Sequence, residues 1–406
     1  MEKQFMQYAK LTLAVGLNLQ KDQELFITCP INNADLGRAL VKEAYAMGAK
    51  EVVMFWDDDL VTRQKYEHAA FEVFGNYPQW KADAMNGAAE RGAAFLRIVG
   101  GNPDLLKGID PTRMSTANKS AAKALASYRK EQQTGGSRWC IIAAPSLEWA
   151  EKVYPELEGQ AAIDALWTDI FKIVRTDQAD PVAAWQAHID QIREKHQWLT
   201  DMQPEKLIFK SDTCDLTMDM PKDHLWIGGG ITDKQDIYYV PNLPTEECFS
   251  LPHRNGVNGT VTSTKPLNWG GALIEDFTLT LKDGKIVAHE ARVGEEVLTK
   301  LLDTDEGARY IGEVALVPES SPINQTNRVF YNTLYDENAS SHLAIGTAYP
   351  MCLKGGTKLE KEALLERGAN HSLTHVDFMI GSDSLNVDAV LADGTTVPVF
   401  RKGEWA

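Results

Sequence analysis

The sequence is poor in cysteine and has no long apolar run. Its five cysteines, among 406 residues, are odd in number and never spaced as Cys-x-x-Cys, which argues against a disulfide framework and a thiolate zinc site. No run of about 18 apolar residues occurs, so we expect no membrane-spanning helix and no membrane partner. Charged residues interrupt the first segment, "MEKQFMQYAKLTLAVGLNL", which resembles neither a signal peptide nor a transit peptide. These features predict a cytoplasmic protein with reduced thiols.

Positive charge is also scarce. The chain has 41 Lys and Arg against 57 Asp and Glu, a formal net charge of -16, and no basic stripe. Nucleic-acid binding needs clustered Lys and Arg, so we expect no nucleic-acid partner. The first predicted turn from strand to helix, "TCPINNADLG", lacks the glycine patterns that bind phosphates in nucleotide-binding domains. The first half is therefore interpreted as a scaffold or dimer-forming domain.

The length of the chain allows two domains, and its first half alternates strand and helix patterns. Apolar runs typical of strands cover Glu24–Pro30, Lys50–Trp56, Ala93–Gly100 and Arg138–Pro145. The segment Asn33–Ala49 between the first two runs has helical spacing of its apolar residues, which makes a βαβ unit. The pattern predicts an N-terminal α/β domain with an open, mostly parallel sheet.

The pattern changes after a long polar helix predicted over residues 180–201. Short strands and glycine turns follow, including two turns of the Asp-Gly type that favour hairpins. We therefore expect an α/β plus α+β protein with an N-terminal domain over residues 1–203 and the bridging helix at its end. A β-rich, largely antiparallel catalytic domain is expected over residues 204–406.

The stretch "HVDFMIG" near the C-terminus is interpreted as a strand. Successive strand side chains alternate between faces, so His375 and Asp377 share one face while Val376 and Phe378 pack on the other. An imidazole and a carboxylate on one face are typical of a buried ion pair or of a metal site. The local pattern leaves both open.

Other candidate donors lie in the same half. The segment "DENASSHLAIGTAYP", residues 336–350, is predicted to be helical, which would place Asn338 and His342 on one face, with Glu337 offset from His342 but near it. Glu247 and Glu313 occur in uncharged or apolar surroundings, where an unpaired charge would be costly to bury. Each residue alone is more simply a satisfied hydrogen-bond partner. As a set, oxygen and imidazole donors suit Zn, Co or Mn.

Four sequence blocks, "PNLPTEECF", "GEVALVP", "LYDENASSHLAIGTAYP" and "HVDFMIGS", resemble the signature blocks of the aminopeptidase T / aminopeptidase S family of metallo-aminopeptidases. The resemblance extends along most of the chain, including "CPINNADLGRALVKEAYAMGAKEV". It implies two divalent metal ions in the C-terminal domain, a homodimer, and an N-terminal domain without metal. It also implies Tyr349 as the catalytic tyrosine and a set of metal ligands: Glu247, Glu313, Glu337, His342, His375 and Asp377.

The resemblance predicts release of N-terminal amino acids from peptides with a free N-terminus, by a water that two metal ions activate. Tyr349 would donate a hydrogen bond to the oxyanion. Glu313 and Glu246 are both candidates for the general base, and the sequence does not rank them. Two alternatives stay open. A metal-dependent phosphoesterase would use similar donors but needs phosphate-binding Arg or Lys, which these blocks lack, and a non-catalytic metal-binding interaction protein would need no chemistry at all.

Overall fold

The computed structural model describes residues 1–269 and 272–406 and divides the chain into two compact units. The first unit comprises Met1–His188 with Gly230–Pro244, and the second comprises Ile189–Gly229 with Thr245–Ala406. The predicted division at residue 203 differs from this one, because the boundary falls inside the long helix and a later segment returns to the first unit. In that segment the main-chain N–H of Leu243 donates to the carbonyl of Ile141. Local hydrophobic patterning does not reveal such a return.

The helices are found across both units. Over the described residues the α-helices are α1 (Glu2–Leu11), α2 (Ala34–Ala46), α3 (Asp59–His68), α4 (Gln79–Glu90), α5 (Pro111–Ala124), α6 (Ala126–Gln133), α7 (Leu147–Val153), α8 (Gly159–Ile173), α9 (Pro181–Met202), α10 (Glu295–Leu302), α11 (Thr333–Asp336) and α12 (Lys361–Glu366). The helix α9 corresponds to the predicted long helix.

The strands are short in most of the chain. Over the described residues they are β1 (Glu24–Pro30), β2 (Glu51–Asp57), β3 (Ala94–Val99), β4 (Trp139–Ala143), β5 (Lys206–Lys210), β6 (Cys214–Asp219), β7 (Ile227–Gly228), β8 (Ile231–Thr232), β9 (Tyr238–Tyr239), β10 (Cys248–Ser250), β11 (Val257–Thr262), β12 (Leu267–Trp269), β13 (Ala272–Lys282), β14 (Lys285–Val293), β15 (Ile311–Leu316), β16 (His342–Gly346), β17 (His375–Met379), β18 (Asn386–Val390), β19 (Thr396–Arg401) and β20 (Glu404–Trp405).

The first unit contains a four-stranded sheet in the order β2-β1-β3-β4, with every pairing parallel. The crossover from β1 to β2 is α2, whose Leu36 and Leu40 are buried. Parallel neighbours require such crossovers, so the alternating strand and helix patterns correctly indicated an α/β domain. Near the end of this unit Trp185, on α9, donates its indole N–H to the carbonyl of Val174 at 2.6 Å.

The second unit contains two antiparallel sheets. A five-stranded sheet has the order β17-β16-β15-β10-β7, and a nine-stranded sheet has the order β12-β13-β11-β6-β5-β18-β19-β20, with β14 paired to β13. Asp283 and Gly284 join β13 to β14 with φ of 49° and 80°, the left-handed conformation that a two-residue hairpin turn requires. This confirms the predicted α/β domain followed by an antiparallel, β-rich domain.

One face of the five-stranded sheet forms part of the core of the second unit. Leu343 and Ile345 of β16 and Phe378 of β17 are buried in the same apolar cluster as Phe277 of β13. The rings of Phe277 and Phe378 lie 5.3 Å apart between centroids. Because strand side chains alternate, the opposite face of this sheet carries the intervening residues. The predicted placement of Phe378 on a face that packs into the core is confirmed.

The prediction of a helix over residues 336–350 is wrong for most of that segment. The helix α11 ends at Asp336, a 3-10 turn covers Glu337–Ala339, and His342 begins strand β16. All five residues of β16 are buried, and the strand lies between β15 and β17. A strand buried on both faces has no polar alternation, so its sequence resembles that of a buried helix.

Among the described residues, no helix is both long enough and apolar enough to span a bilayer.

Candidate metal centre

Four neighbouring strands bring the candidate donors to one face of the five-stranded sheet. Glu313 of β15 lies opposite Ala344 of β16, which in turn lies opposite Asp377 of β17. Residues opposite each other in antiparallel strands point to the same face. His342 and His375 alternate in phase with Ala344 and Asp377 on their strands, so they share this face too. The other face is the apolar one described above.

Glu247 reaches the same face from the start of β10. It directly precedes Cys248, the first residue of that strand. Phe249, two residues after Glu247, lies opposite Ala315 of β15. Ala315 is two residues from Glu313, so Phe249 and Glu247 alternate onto the face that carries the donors. The long sequence separation of Glu247 from the other donors is closed by strand pairing.

Two groups of three donors result, and they share Glu313. In the first, Nε2 of His342 lies 3.3 Å from Oε2 of Glu247 and 3.5 Å from Oε1 of Glu313. In the second, Nε2 of His375 lies 3.8 Å from Oε2 of Glu313 and 3.3 Å from Oδ1 of Asp377. Within each group the ligand atoms lie within 4.8 Å of one another. The two oxygens of Glu313 therefore face different groups.

Main-chain carbonyls orient both imidazoles. Nδ1 of His342 lies 3.0 Å from the carbonyl oxygen of Ser340, and Nδ1 of His375 lies 2.8 Å from that of Thr347. A carbonyl can only accept, so each Nδ1 carries the proton and donates. In the neutral ring this leaves the Nε2 lone pair directed at the carboxylates, which is the arrangement of a histidine that binds a metal ion.

The electrostatics of the cluster call for a cation. Burial and the carboxylates of Asp377 and Glu247 together raise the pKa of Glu313 to about 7, against the lowering by its hydrogen bond with His342. Burial and the same two carboxylates also raise the pKa of Glu337 well above its usual range. Oδ1 of Asp377 is buried without a hydrogen-bond partner in the described part of the chain. Crowded carboxylates, imidazole nitrogens that face them and a buried oxygen without a hydrogen bond fit a divalent cation.

Glu337 and Glu246 lie on segments next to the two groups. Glu337 begins the 3-10 turn after α11, is half-buried, and belongs to neither group of three donors. Glu246 is buried beside Glu247, and its main-chain N–H donates to Oδ1 of Asn338 at 2.7 Å. The structure thus gathers Glu247 and the sheet donors directly, and it places these two acidic residues on flanking segments.

Tyr349 lies at the rim of the donor cluster. Its side chain is 42% exposed, and its ring centroid lies 4.8 Å from that of His375 and 6.0 Å from that of Phe249. Desolvation and the carboxylates of Glu313 and Asp377 raise the pKa of its phenol. The hydroxyl therefore stays protonated and is a hydrogen-bond donor at neutral pH.

The chain is similar to proteins of known class along nearly its whole length. A model of the family described as thermophilic metalloprotease (M29) matches residues 1–405. The chain belongs to this family. It is 49% identical to aminopeptidase 2 of Geobacillus stearothermophilus over 405 residues, which are 100% of this chain and 98% of that protein. It is 46% identical to aminopeptidase AmpS of Bacillus subtilis over 399 residues, or 98% and 97% of the two chains.

A solved structure agrees with the sequence comparison. Wild-type AmpT from Thermus thermophilus superposes with a TM-score of 0.93 at 40% identity, covering 99% of each chain. The resemblance read from the sequence blocks is confirmed, and with it the predicted class of enzyme. This M29 metalloprotease is a metal-dependent aminopeptidase, a hydrolase of peptide bonds.

The sequence did not reveal the groups that orient the two imidazoles of this metallopeptidase. The carbonyls of Ser340 and Thr347 hold the two imidazoles, but a main-chain carbonyl leaves no signature in a sequence. Asn338 was noted only as a neighbour of His342 on a helix that does not form. Asn338 lies between the segments of Glu246 and Glu337, and these segments come together only when the strands pair, so the sequence alone does not reveal this position.

Proposed function

We propose that this aminopeptidase binds two divalent ions, Zn, Co or Mn, at the two groups of donors. Glu247, Glu313 and His342 would hold one ion, and Glu313, His375 and Asp377 the other. The observation that carries the proposal is the position of Glu313, whose two carboxylate oxygens face different imidazoles at 3.5 and 3.8 Å. Glu337 is proposed as a further ligand, because burial and the nearby carboxylates of Glu247 and Asp377 raise its pKa.

The proposed catalytic roles are divided between the bound ions and Tyr349. When bound, such ions supply Lewis-acid chemistry, lowering the pKa of a water nucleophile and polarising the scissile carbonyl. Tyr349 is proposed to donate a hydrogen bond from its phenolic hydroxyl to the oxyanion that develops on that carbonyl. The residue is 42% exposed at the rim of the cluster, and its ring lies 4.8 Å from that of His375, which places the phenol beside the donors.

Glu246 is proposed as the general base that carries the water proton to the leaving amine. Both oxygens of Glu313, the other candidate, face histidine nitrogens, so they are committed to holding ions. Glu246 adjoins Glu247 in the chain, and its main chain is fixed by Asn338. A carboxylate that takes no part in metal binding is better suited to exchange a proton during turnover.

The substrates are peptides with a free α-amine, as the class of enzyme requires. We further propose that the protein is a homodimer, which the family resemblance implies. A cytoplasmic location is also proposed, since all five cysteines are free and buried, as expected of a protein in a reducing compartment. The phosphoesterase and the non-catalytic interaction protein considered above are set aside by membership of a family of peptidases.

Metal reconstitution tests the proposal. The enzyme is stripped with a chelator and reloaded with Co or Zn, and metal per chain is measured beside hydrolysis of aminoacyl-amides. Two ions per chain and recovery of activity with loading are expected. Glu313→Gln should weaken binding of both ions, whereas Glu247→Gln should weaken binding of one. Saturation at one ion per chain, or equal losses in both variants, would contradict a shared carboxylate.

A further inference from the structure

One buried amide joins the two acidic segments that flank the donor cluster. Asn338 is 0% exposed, and its Oδ1 accepts the main-chain N–H of Glu246 at 2.7 Å. Its Nδ2 donates to the carbonyl of Leu334 at 3.1 Å and faces Oε1 of Glu337 at 3.4 Å. The hydrogen bond from Glu246 to Asn338 thus joins two segments across 92 positions of the chain.

The chemistry of these contacts requires an amide. Oδ1 meets an N–H, which only donates, while Nδ2 meets the carbonyl of Leu334, which only accepts, and an oxygen of Glu337. An aspartate at this position would place a second oxygen against the carbonyl of Leu334 and the carboxylate of Glu337. A leucine would leave the buried N–H of Glu246 without this partner. Removing the partner of a buried hydrogen-bond donor destabilises the folded state.

The anchored segments have little other regular structure. Glu246 and Glu247 precede the first residue of β10 and belong to no strand or helix. Glu337 and Asn338 lie in a 3-10 turn of three residues. The turn itself is held on its other side, because Oγ of Ser321 donates to the main-chain carbonyl of Asn338 at 2.8 Å. Asn338 is therefore a fixed point from which the Glu246 main chain is held.

We infer that Asn338 is a positioning residue of the metal centre. It fixes the loop that presents Glu247 relative to the turn that presents Glu337, and so sets the spacing of carboxylates on either side of His342. This inference rests on the proposed ligand set. Outer residues that orient metal ligands typically change metal affinity by about 10- to 100-fold when they are replaced. An effect of that size is expected here without any loss of a ligand.

The test compares Asn338→Ala with a control at a residue that contacts the same turn. Ser321→Ala removes the hydrogen bond to the carbonyl of Asn338 but leaves both ends of its amide in place. Each chelated protein is titrated with Co against a competing chelator, and the visible absorption bands of bound cobalt are recorded. Thermal unfolding of the metal-free proteins measures the purely structural effect.

We expect Asn338→Ala to bind cobalt about 10- to 100-fold more weakly than wild type, with shifted absorption bands. Ser321→Ala should lower the unfolding temperature and keep the wild-type affinity and bands. If Asn338→Ala does not fold, Asn338→Ser, which leaves a smaller cavity, is measured by the same criteria. Wild-type affinity and bands in the folded Asn338 variant, or the same shift in both variants, would overturn the inference.

Glu247→Gln, measured in parallel, tests the proposed ligand set separately from the positioning role of Asn338. Wild-type cobalt bands and affinity in Glu247→Gln would show that the proposed ligand set is wrong, and the inference about Asn338 would fall with it. Altered bands in Glu247→Gln together with wild-type bands in the Asn338 variant would reject the positioning role alone. Altered bands in both, with Ser321→Ala unaffected, would support both conclusions.

Discussion

Nε2 of His375 lies 3.3 Å from Oδ1 of Asp377, two residues away on strand β17. That oxygen is buried and has no hydrogen bond in the described residues, although the imidazole is adjacent. Nδ1 of His375 donates to the carbonyl of Thr347, which leaves Nε2 as the ring nitrogen that faces the carboxylate. A neutral ring in this position would direct its Nε2 lone pair at a shared cation, as two ligands of one metal ion do, whereas a protonated ring would make an ion pair with Asp377.

The first prediction separates these two interpretations. Asp377→Asn should remain folded, lose metal and lose most of its turnover, because a neutral amide is a poorer ligand for a divalent cation. Metal per chain and kcat are measured together with thermal unfolding. Asp388→Asn is the matched control, since Asp388 contacts Arg401 on the nine-stranded sheet, away from the donors. Full metal and normal turnover in Asp377→Asn would leave a structural ion pair as the explanation.

The second prediction concerns Tyr349. Tyr349→Phe should keep its metal and lose roughly 10²- to 10³-fold in kcat, as expected for one lost oxyanion donor. Tyr239→Phe is the control, because the hydroxyl of Tyr239 is buried without a hydrogen-bond partner among the described residues. The control should keep wild-type kcat. Steady-state kinetics on aminoacyl-amides decide, and an unchanged kcat in Tyr349→Phe would remove the phenol from the proposed mechanism.

The third prediction concerns an ion pair inside the first unit. Arg138 and Asp233 are both buried, and the guanidinium of Arg138 donates to the Asp233 carboxylate and to Oε1 of Gln23. Asp233→Ala would leave a buried cation without its partner, which typically costs about 3–5 kcal/mol. Urea unfolding measures this loss. The exposed pair Arg38 and Asp35 supplies the contrast, since Asp35→Ala should cost under about 1 kcal/mol.

The fourth prediction concerns Asp305 and pH. Burial alone would raise its pKa, but hydrogen bonds from Oγ of Ser372 and from the main chains of Leu373 and Ala308 lower it overall. A carboxyl with a lowered folded pKa contributes stability above its unfolded pKa of about 3.9, and that stability is lost as pH falls through the folded value.

Asp305→Asn should therefore destabilise the protein near pH 7, and this loss should shrink as pH falls below the unfolded pKa of about 3.9 and through the lower folded pKa, because the wild type then becomes protonated in both states. Unfolding midpoints of the two proteins across this pH range provide the measurement. A difference that stays constant with pH would assign the effect to lost hydrogen-bond geometry rather than to charge.

Part of the fold is encoded locally and was predictable from the sequence. The parallel sheet of the first unit follows from apolar runs that alternate with helical spacing, and the β13–β14 hairpin follows from Asp283-Gly284. The shared face of His375 and Asp377 follows from strand alternation alone, and their Nε2–Oδ1 distance of 3.3 Å agrees. In each case the residues that interact are close in sequence, or the pattern repeats along one element.

The convergence of the donors was decided by tertiary structure. Glu247, Glu313 and His342 come from strands β10, β15 and β16 or their ends, and only the register of these strands places the three on one face. His342 was assigned to a helix because a fully buried strand has no polar alternation to reveal it. Sequence patterns report the environment of each residue separately. Distances between residues far apart in the chain depend on strand order and register, which arise when the whole sheet buries its apolar face.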